Sequence, residues 1–217
     1  MANIKISIDW KLIGRELWRH IPFTALGALS GIAFMAIIFG GNFLQALEPY
    51  EENIFYVLHP AHIVLSAVVT TSIYKLHSRG KLWAVILIGF IAAISIATIS
   101  DSIFPYLGEA LLDLPRRKIE IGFIEEPLLT IPPAFVGIAI GYRFSTTKIP
   151  HAGHILISTW ASLFHILMAL GQTVNWVQGL AIFLILFLSV WIPCCFSDIV
   201  FPLFFVREGE AHHHHHH

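Results

Sequence analysis

Two pairs of histidines have the spacing that suits a shared ligand. His59 and His62 are three residues apart in the chain, and so are His151 and His154. Residues three apart on a helix lie on the same face, so each pair can direct two imidazoles at one point. Neutral imidazole is the form of histidine that binds a transition metal, so each pair is a candidate metal-binding pair.

The prolines beside these histidines predict where the two helices begin. Pro60 follows His59, and Pro150 precedes His151. Proline suits the first turn of a helix, so we expect the helices to begin near these two residues. The positive end of the helix dipole would then disfavour imidazolium and keep the histidines neutral.

Two aspartates inside apolar runs complete the candidate site. Asp101 and Asp198 each stand near the end of an apolar stretch, and a carboxylate at membrane depth costs about 2.5–3.5 kcal/mol. A cation shared with the histidines would offset that cost. Two imidazoles and one carboxylate suit Zn²⁺, Fe²⁺, Mn²⁺ or Co²⁺. The predicted metal ligands are His59, His62, Asp101, His151, His154 and Asp198.

A structural role for these residues is the competing interpretation. A single histidine at a membrane interface is more often a hydrogen-bonded residue than a ligand, and an aspartate near a helix end is often a cap. The duplication of the pattern, each time with an aspartate, favours metal binding. Two further candidates have weaker support. Cys194 and Cys195 align with Ala97 and Thr98, which favours packing, and His165 either lines a path or bonds a neighbour.

The composition places the chain among integral membrane proteins. Apolar residues make up 56% and charged residues 12%, with a mean hydropathy of +0.74, whereas soluble domains carry about 25% charged residues. Six apolar stretches approach or exceed the ~20 residues that a helix needs to cross a bilayer. They cover 21–46, 54–76, 82–107, 124–144, 150–171 and 176–206, the last of which we expect to be tilted, kinked at Pro193 or broken near Pro202.

Three sequence patterns occur twice in the same order. They pair the first span with the fourth, the second with the fifth and the third with the sixth. Ile-Pro-x4-Gly-x3-Gly begins at Ile21 and at Ile131. His-x2-His-Ile-x-hydrophobic-Ser begins at His59 and His151, and Ser-Asp-x2-Phe-Pro contains the two aspartates. Three ordered matches predict two repeats of three helices. Because three is odd, the second repeat must enter the membrane from the opposite side, which gives an inverted-topology repeat.

Lysine and arginine predict the orientation of the spans. Arg116, Arg117 and Lys118 lie in the loop between the third and fourth spans, and the other ten of the 13 Lys and Arg residues lie on the opposite side. Positive residues favour the cytoplasmic side, so we expect a cell-membrane protein with both termini cytoplasmic.

We predict that the chain is an all-α integral membrane protein with five segments. They are an amphipathic interfacial segment (1–20), repeat one (21–107), an extracytoplasmic loop (108–123), repeat two (124–206) and a tail with a purification tag (207–217). We expect the lipid bilayer and a metal ion as partners, and no nucleic acid. The glycine pairs 27/31 and 137/141 fit close helix packing, either within a protomer or between protomers of a homo-oligomer.

These features support three functional hypotheses of different classes. The first is a transporter or channel for a divalent metal cation, because inverted repeats suit alternating access. The second is a metal-dependent intramembrane enzyme, such as a hydrolase of a lipid or phosphoester, in which the metal activates water. An enzyme needs an acid or base beyond the ligands, whereas the two repeats match nearly residue for residue, which favours transport. The third is a haem- or quinone-binding protein, which needs opposed histidines on different helices.

Overall fold

The computed structural model describes residues 10–77, 81–144, 148–171, 174–195 and 201, and all regular structure in these ranges is helical. The helices are α1 (Trp10–Gly40), α2 (Leu44–Leu47), α3 (Glu51–His77), α4 (Leu82–Thr98), α5 (Phe104–Leu111), α6 (Gly122–Glu125), α7 (Pro127–Phe144), α8 (Lys148–Leu170) and α9 (Trp176–Cys195). Among the described residues, six helical segments are long and apolar enough to cross a membrane.

The second span begins earlier than the sequence predicts. A 3₁₀ turn, Glu48–Tyr50, leads directly into α3, and Glu51 and Glu52 occupy the first turn of that helix. Acidic residues stabilise a helix N-terminus, so the helix begins there and Pro60 lies inside it. The expected start near Pro60 is therefore wrong, and the dipole argument does not apply to the histidines of α3. In α8, by contrast, Pro150 lies in the first turn as predicted.

The ends of the chain differ in how far the structure describes them. From Trp10 onwards the predicted interfacial segment continues into the first span without a break, because α1 is one helix as far as Gly40. Residues 1–9 lie outside the described ranges. At the other end, α9 ends at Cys195 with Pro193 inside it, whereas Pro202 and the tag lie outside the described residues.

The third span contains a local change of helix type. A π-helical turn, Ile99–Ile103, separates α4 from α5, and it carries Ser100, Asp101 and Ser102 with all three side chains buried. Pro105 lies four residues after Asp101. Since proline has no N–H and its ring would clash with the carbonyl group four residues earlier, a regular α-helix is disfavoured at this point. The proline thus accounts for an irregular turn at the aspartate.

The interior of the helix bundle is polar along α3 and α8, and its exterior is apolar. In the span windows, 72% of the α8 residues and 56% of the α3 residues are buried. The buried polar side chains of the described parts of these two helices are Glu51, His59, His62, Ser66, Thr70, Thr71 and Ser72 on α3, with His154, Ser158, Thr159, Ser162 and His165 on α8. Large apolar side chains such as Leu26, Phe135 and Leu180 are exposed. This distribution fits a multi-pass membrane protein, whose outer surface contacts lipid.

The helices pack around α3 and α8. Helix α3 contacts α4, α7 and α8, while α8 also contacts α1 and α9. Further contacts join α1 to α9, α4 to α7, and α9 to the π turn and α5.

Glycines allow α1 and α7 to approach the two central helices closely. The contacts pair Gly27 with Thr159, Gly31 with Leu163, Gly137 with Ala67 and Gly141 with Thr71. A Cβ atom on Gly137 would lie 2.7 Å from the Cβ of Ala67, and one on Gly27 would lie 2.8 Å from Thr159 Oγ1. Both glycine pairs therefore pack inside the protomer.

Candidate functional site

The carboxylate of Asp101 lies at the centre of a buried hydrogen-bonded cluster. His59 Nδ1 is 2.9 Å and His62 Nδ1 is 2.7 Å from Asp101 Oδ2. The hydroxyls of Ser100 and Ser158 donate to Oδ1 over 2.8 and 2.9 Å. All four neighbours of Asp101 are fully buried. The structure thus brings together His59, His62 and Asp101, and their role as metal ligands stays a prediction.

The irregular turn and helix α8 hold this cluster in place. Ser162 Oγ donates to the backbone carbonyl of Ser100 over 2.9 Å, which ties α8 to the π turn. Ser158 lies one helical turn before Ser162, so the same face of α8 contacts both the turn's backbone and its carboxylate. Ser100 and Ser158 are part of the repeated sequence patterns, but the sequence alone gave them no function.

The hydrogen bonds to Asp101 determine which ring nitrogens remain for a ligand. An ionised carboxylate only accepts hydrogen bonds, so Nδ1 of both histidines must carry the proton and donate. Neutral His59 and His62 then present unprotonated Nε2 atoms, and neither Nε2 has a hydrogen-bond partner in the described part of the chain. A carboxylate on one ring nitrogen with the other nitrogen free is the arrangement typical of metal-binding histidine. The two Nε2 atoms are therefore candidate ligand atoms for a transition-metal cation, while Asp101 holds both imidazoles through Nδ1.

The site reaches α8 through a contact between two histidine rings. The rings of His62 and His154 lie 4.5 Å apart between centroids, inclined by 31°. Cys194 joins them: one ligand atom from each of the three residues lies within 4.8 Å of the others, and all three are buried. The Cys194 thiol is also 3.8 Å from Ser158 Oγ. Sequence comparison of the repeats favoured packing for Cys194, because its counterpart is Ala97.

The second predicted ligand set is only partly described. His154 is buried in the contact just given. The side chain of His151 and the whole of Asp198 lie outside the described residues. Helix α8 does carry His151 three residues before His154, so both share one face of that helix.

The loop between α5 and α7 covers His59. A Cβ atom on Gly122 would lie 3.0 Å from Cδ2 and 3.1 Å from Nε2 of that histidine, so only a glycine leaves the imidazole undisturbed. Next to this contact, Tyr56 Oη lies 3.2 Å from a carboxylate oxygen of Glu120 and 3.2 Å from one of Glu125. The loop is thereby fastened to the beginning of α3.

The two glutamates of this loop have shifted pKa values in opposite directions. Burial raises the pKa of Glu120, but hydrogen bonds from Glu125 and Lys118 outweigh this effect and hold it below its usual value. The hydrogen bond to Glu120, together with partial burial, raises the pKa of Glu125. Lys118 Nζ lies 2.7 Å from Glu120, and this hydrogen bond raises the pKa of the lysine. The loop therefore keeps Glu120 ionised and paired with Lys118.

A second buried histidine–carboxylate pair lies near the same end of the bundle. His165 Nδ1 is 2.6 Å from Glu109 Oε1, and both side chains are buried. Phe55 separates this pair from the Asp101 cluster: its ring stacks on His59 with centroids 5.3 Å apart and meets His165 edge-on at 5.5 Å. His165 was singled out from the sequence, but Glu109 was not.

No family model matches this chain, and no curated protein or solved structure does so either. Function must therefore be inferred from the buried site itself.

Proposed function

We propose that this chain is a multi-pass cell-membrane protein that transports a divalent transition-metal cation, with both termini in the cytoplasm. The observation that carries the proposal is the pair of Nε2 atoms on His59 and His62, buried without partners in the described residues while Asp101 accepts from both Nδ1 atoms. His59, His62 and His154 would bind the cation, and Asp101 would orient two of them.

The energetics of the cluster favour a cation as the missing partner. A buried lone pair without a donor costs about 1–3 kcal/mol, and the Nε2 atoms of His59 and His62 are both buried in this way among the described residues. The carboxylate adds one negative charge to an interior of low dielectric constant, where it attracts a cation more strongly than in water. Imidazole nitrogen together with a nearby thiol suits Zn²⁺, Fe²⁺ or Co²⁺ better than Mg²⁺ or Ca²⁺.

The helix contacts support an inverted repeat. Exchanging the two predicted repeats replaces α1 by α7, α3 by α8 and α4 by α9. Under this exchange the α3–α7 contact becomes α8–α1, the α3–α4 contact becomes α8–α9, and α4–α7 becomes α9–α1, all of which occur. The α3–α8 contact is unchanged by the exchange, because the two helices replace each other. This is expected if the pseudo-two-fold axis passes between α3 and α8.

Individual residues support the same exchange. His62 and His154 are counterparts in the two repeats, and equivalent residues can touch each other only near the axis. Ala67 and Thr159 each follow those histidines by five residues, and they contact the counterpart glycines Gly137 and Gly27.

This symmetry links the site to transport. An axis between the repeats gives each half a histidine pair, one approached from the outer side and the other from the inner side. Gly122 and its loop cover His59 on the outer side. Movement of one repeat against the other would uncover the two sides in turn.

One observation favours the alternative of a metal-dependent intramembrane hydrolase. The His165–Glu109 pair lies outside the repeated patterns, because the positions that correspond to it are Ile73 and Val206. An acid or base beyond the metal ligands is what such an enzyme needs. Binding of haem between His62 and His154 has no such support, since rings 4.5 Å apart leave no space for a macrocycle.

Metal content and uptake test the proposal. The protein is purified without its tag, loaded with Zn²⁺, Fe²⁺, Mn²⁺ or Co²⁺ and measured by elemental analysis. We expect the Asp101→Asn, Asp198→Asn double variant to bind at least one equivalent of metal fewer than wild type. Uptake of the same metal into liposomes then separates transport from hydrolysis. An absence of bound metal in loaded wild type, or equal binding by the double variant, would overturn the proposal.

A further inference from the structure

A polar cavity opens at the loop end of the bundle, beyond Phe55. Its volume is about 300 Å³, which is enough for an ion and several waters at ~30 Å³ for each water. His165 lies on its wall together with Glu51, Glu52 and residues of the loop. The cavity therefore lies between the surface and the buried His165–Glu109 pair.

His165 has the same hydrogen-bonding arrangement as the histidines of the Asp101 cluster. His165 Nδ1 lies 2.6 Å from Glu109 Oε1; an ionised carboxylate only accepts, so with Glu109 ionised Nδ1 donates and Nε2 of a neutral ring carries the lone pair. That Nε2 is buried and has no hydrogen-bond partner among the residues described. The carboxylate thus fixes the tautomer that presents a metal-binding lone pair.

A carboxylate on the cavity wall has an unused oxygen as well. Glu51 is 4% exposed, and its Oε1 has no hydrogen-bond partner within the described ranges. The other ionised residues on the wall form pairs: Arg116 contacts Glu48, and Lys118 contacts Glu120. The carboxyl group of Glu51 and the exposed carboxylate of Glu52 therefore take no part in these two pairs.

We propose that this cavity holds a second divalent transition-metal cation, bound by His165 Nε2 and by Glu51, with water completing its coordination. Nitrogen and carboxylate oxygen together suit Zn²⁺, Fe²⁺, Mn²⁺ and Co²⁺. Glu109 is a positioning residue, because it acts through the His165 ring. We call this the outer site, and the site around His59, His62 and Asp101 the central site. Phe55 lies against both His165 and His59 and separates the two sites.

The outer site could serve as the place where the cation enters on its way to the central site, and this role rests on the proposed transport function. Metal binding at the outer site does not depend on that function, because none of its residues belongs to the Asp101 cluster.

Titration with Co²⁺ alone tests the inference. Tag-free protein in detergent is titrated while visible absorption and heat of binding are recorded, since a histidine ligand changes the Co²⁺ spectrum. We expect His165→Gln to lose one equivalent of Co²⁺ relative to wild type. Glu109→Gln preserves the size of the side chain and should lower the affinity for that Co²⁺ ion by about 10–100-fold. Glu52→Gln is the matched control: it removes an exposed charge from the same cavity and should weaken binding by less than about fivefold.

The variants distinguish the outer site from the central one. The outer site is supported if His165→Gln loses one equivalent of Co²⁺ and the Asp101→Asn, Asp198→Asn double variant still binds that equivalent. Unchanged stoichiometry and affinity in both His165→Gln and Glu109→Gln would overturn this inference and leave the proposed function standing. Conversely, full Co²⁺ binding by the double variant, with loss in His165→Gln, would overturn the central site alone. Gel filtration of each variant shows that it is folded.

Discussion

Replacing Asp101 by asparagine or by alanine separates two roles of this carboxylate. The side chain is fully buried and accepts four hydrogen bonds, two from imidazoles and two from serine hydroxyls. Both substitutions remove the negative charge, so the free energy of burying that charge changes equally in the two variants. The difference between them therefore measures the hydrogen bonds together with the packing of the amide group.

Asparagine can keep the whole network. Its amide oxygen can accept from the two imidazoles, and its NH₂ group can donate to the hydroxyls of Ser100 and Ser158, which rotate to accept. The two imidazole bonds become neutral and lose strength, since a charge-assisted bond is about twice as strong. We expect the Asp101→Asn protein to fold with nearly the stability of wild type.

Alanine leaves the donors without an acceptor. The hydroxyl of Ser100 has an alternative in the carbonyl of Ala97, 3.4 Å away, and Ser158 lies 3.3 Å from Ser100 Oγ. The two imidazole Nδ1–H groups have no alternative among the described residues. At about 1–3 kcal/mol for each unsatisfied buried donor, Asp101→Ala should be about 2–6 kcal/mol less stable than Asp101→Asn.

The assay combines thermal unfolding in detergent with metal titration of tag-free protein. Asp101→Asn should bind metal about 10–100-fold more weakly than wild type, because a neutral amide replaces the carboxylate that makes the imidazole ligands more basic. Equal stability of the two variants would show that Asp101 does not accept the bonds described here. Wild-type metal affinity in Asp101→Asn would show that the charge of Asp101 does not strengthen metal binding.

Three further predictions test the topology, the packing and the irregular turn. In a protein without other reactive cysteines, Arg117→Cys should react with a membrane-impermeant maleimide added outside the cell, whereas Arg143→Cys should not; the reverse labelling would contradict the predicted orientation. Gly137→Ala should lower stability by about 1–3 kcal/mol, because its Cβ would meet α3, whereas the control Gly179→Ala has open space and should not destabilise the protein in thermal melts. Pro105→Ala restores a backbone N–H after the π turn, so it should favour a regular helix, raise the melting temperature and weaken metal binding; unchanged metal affinity would show that the turn does not position the carboxylate.

Composition and hydropathy were sufficient to predict the helical architecture. Six apolar stretches predicted six spans, and the structure has six helical segments that are long and apolar enough to cross a membrane. This inference succeeds because a bilayer sets both the length and the composition of a spanning helix. The start of the second span was wrong, since the proline that suggested it lies inside α3, where tertiary packing maintains the helix.

Sequence spacing also identified much of the candidate site. His59, His62 and Asp101 were singled out by residue type and repetition, and they are in contact. Their metal-binding role and that of His151, His154 and Asp198 stay predictions, as do the orientation, the inverted repeat and the oligomeric state.

Only the tertiary structure determined which atoms of these residues face one another. Spacing along a helix gives a shared face, but the choice between Nδ1 and Nε2 depends on where the carboxylate lies, and that depends on the π turn and on Ser158 from another helix. The contacts of His62 with His154, and of His165 with Glu109, join residues far apart in the chain. The sequence by itself therefore determined the apolar spans and their repeated polar residues, whereas packing between helices decided which of those residues form a site.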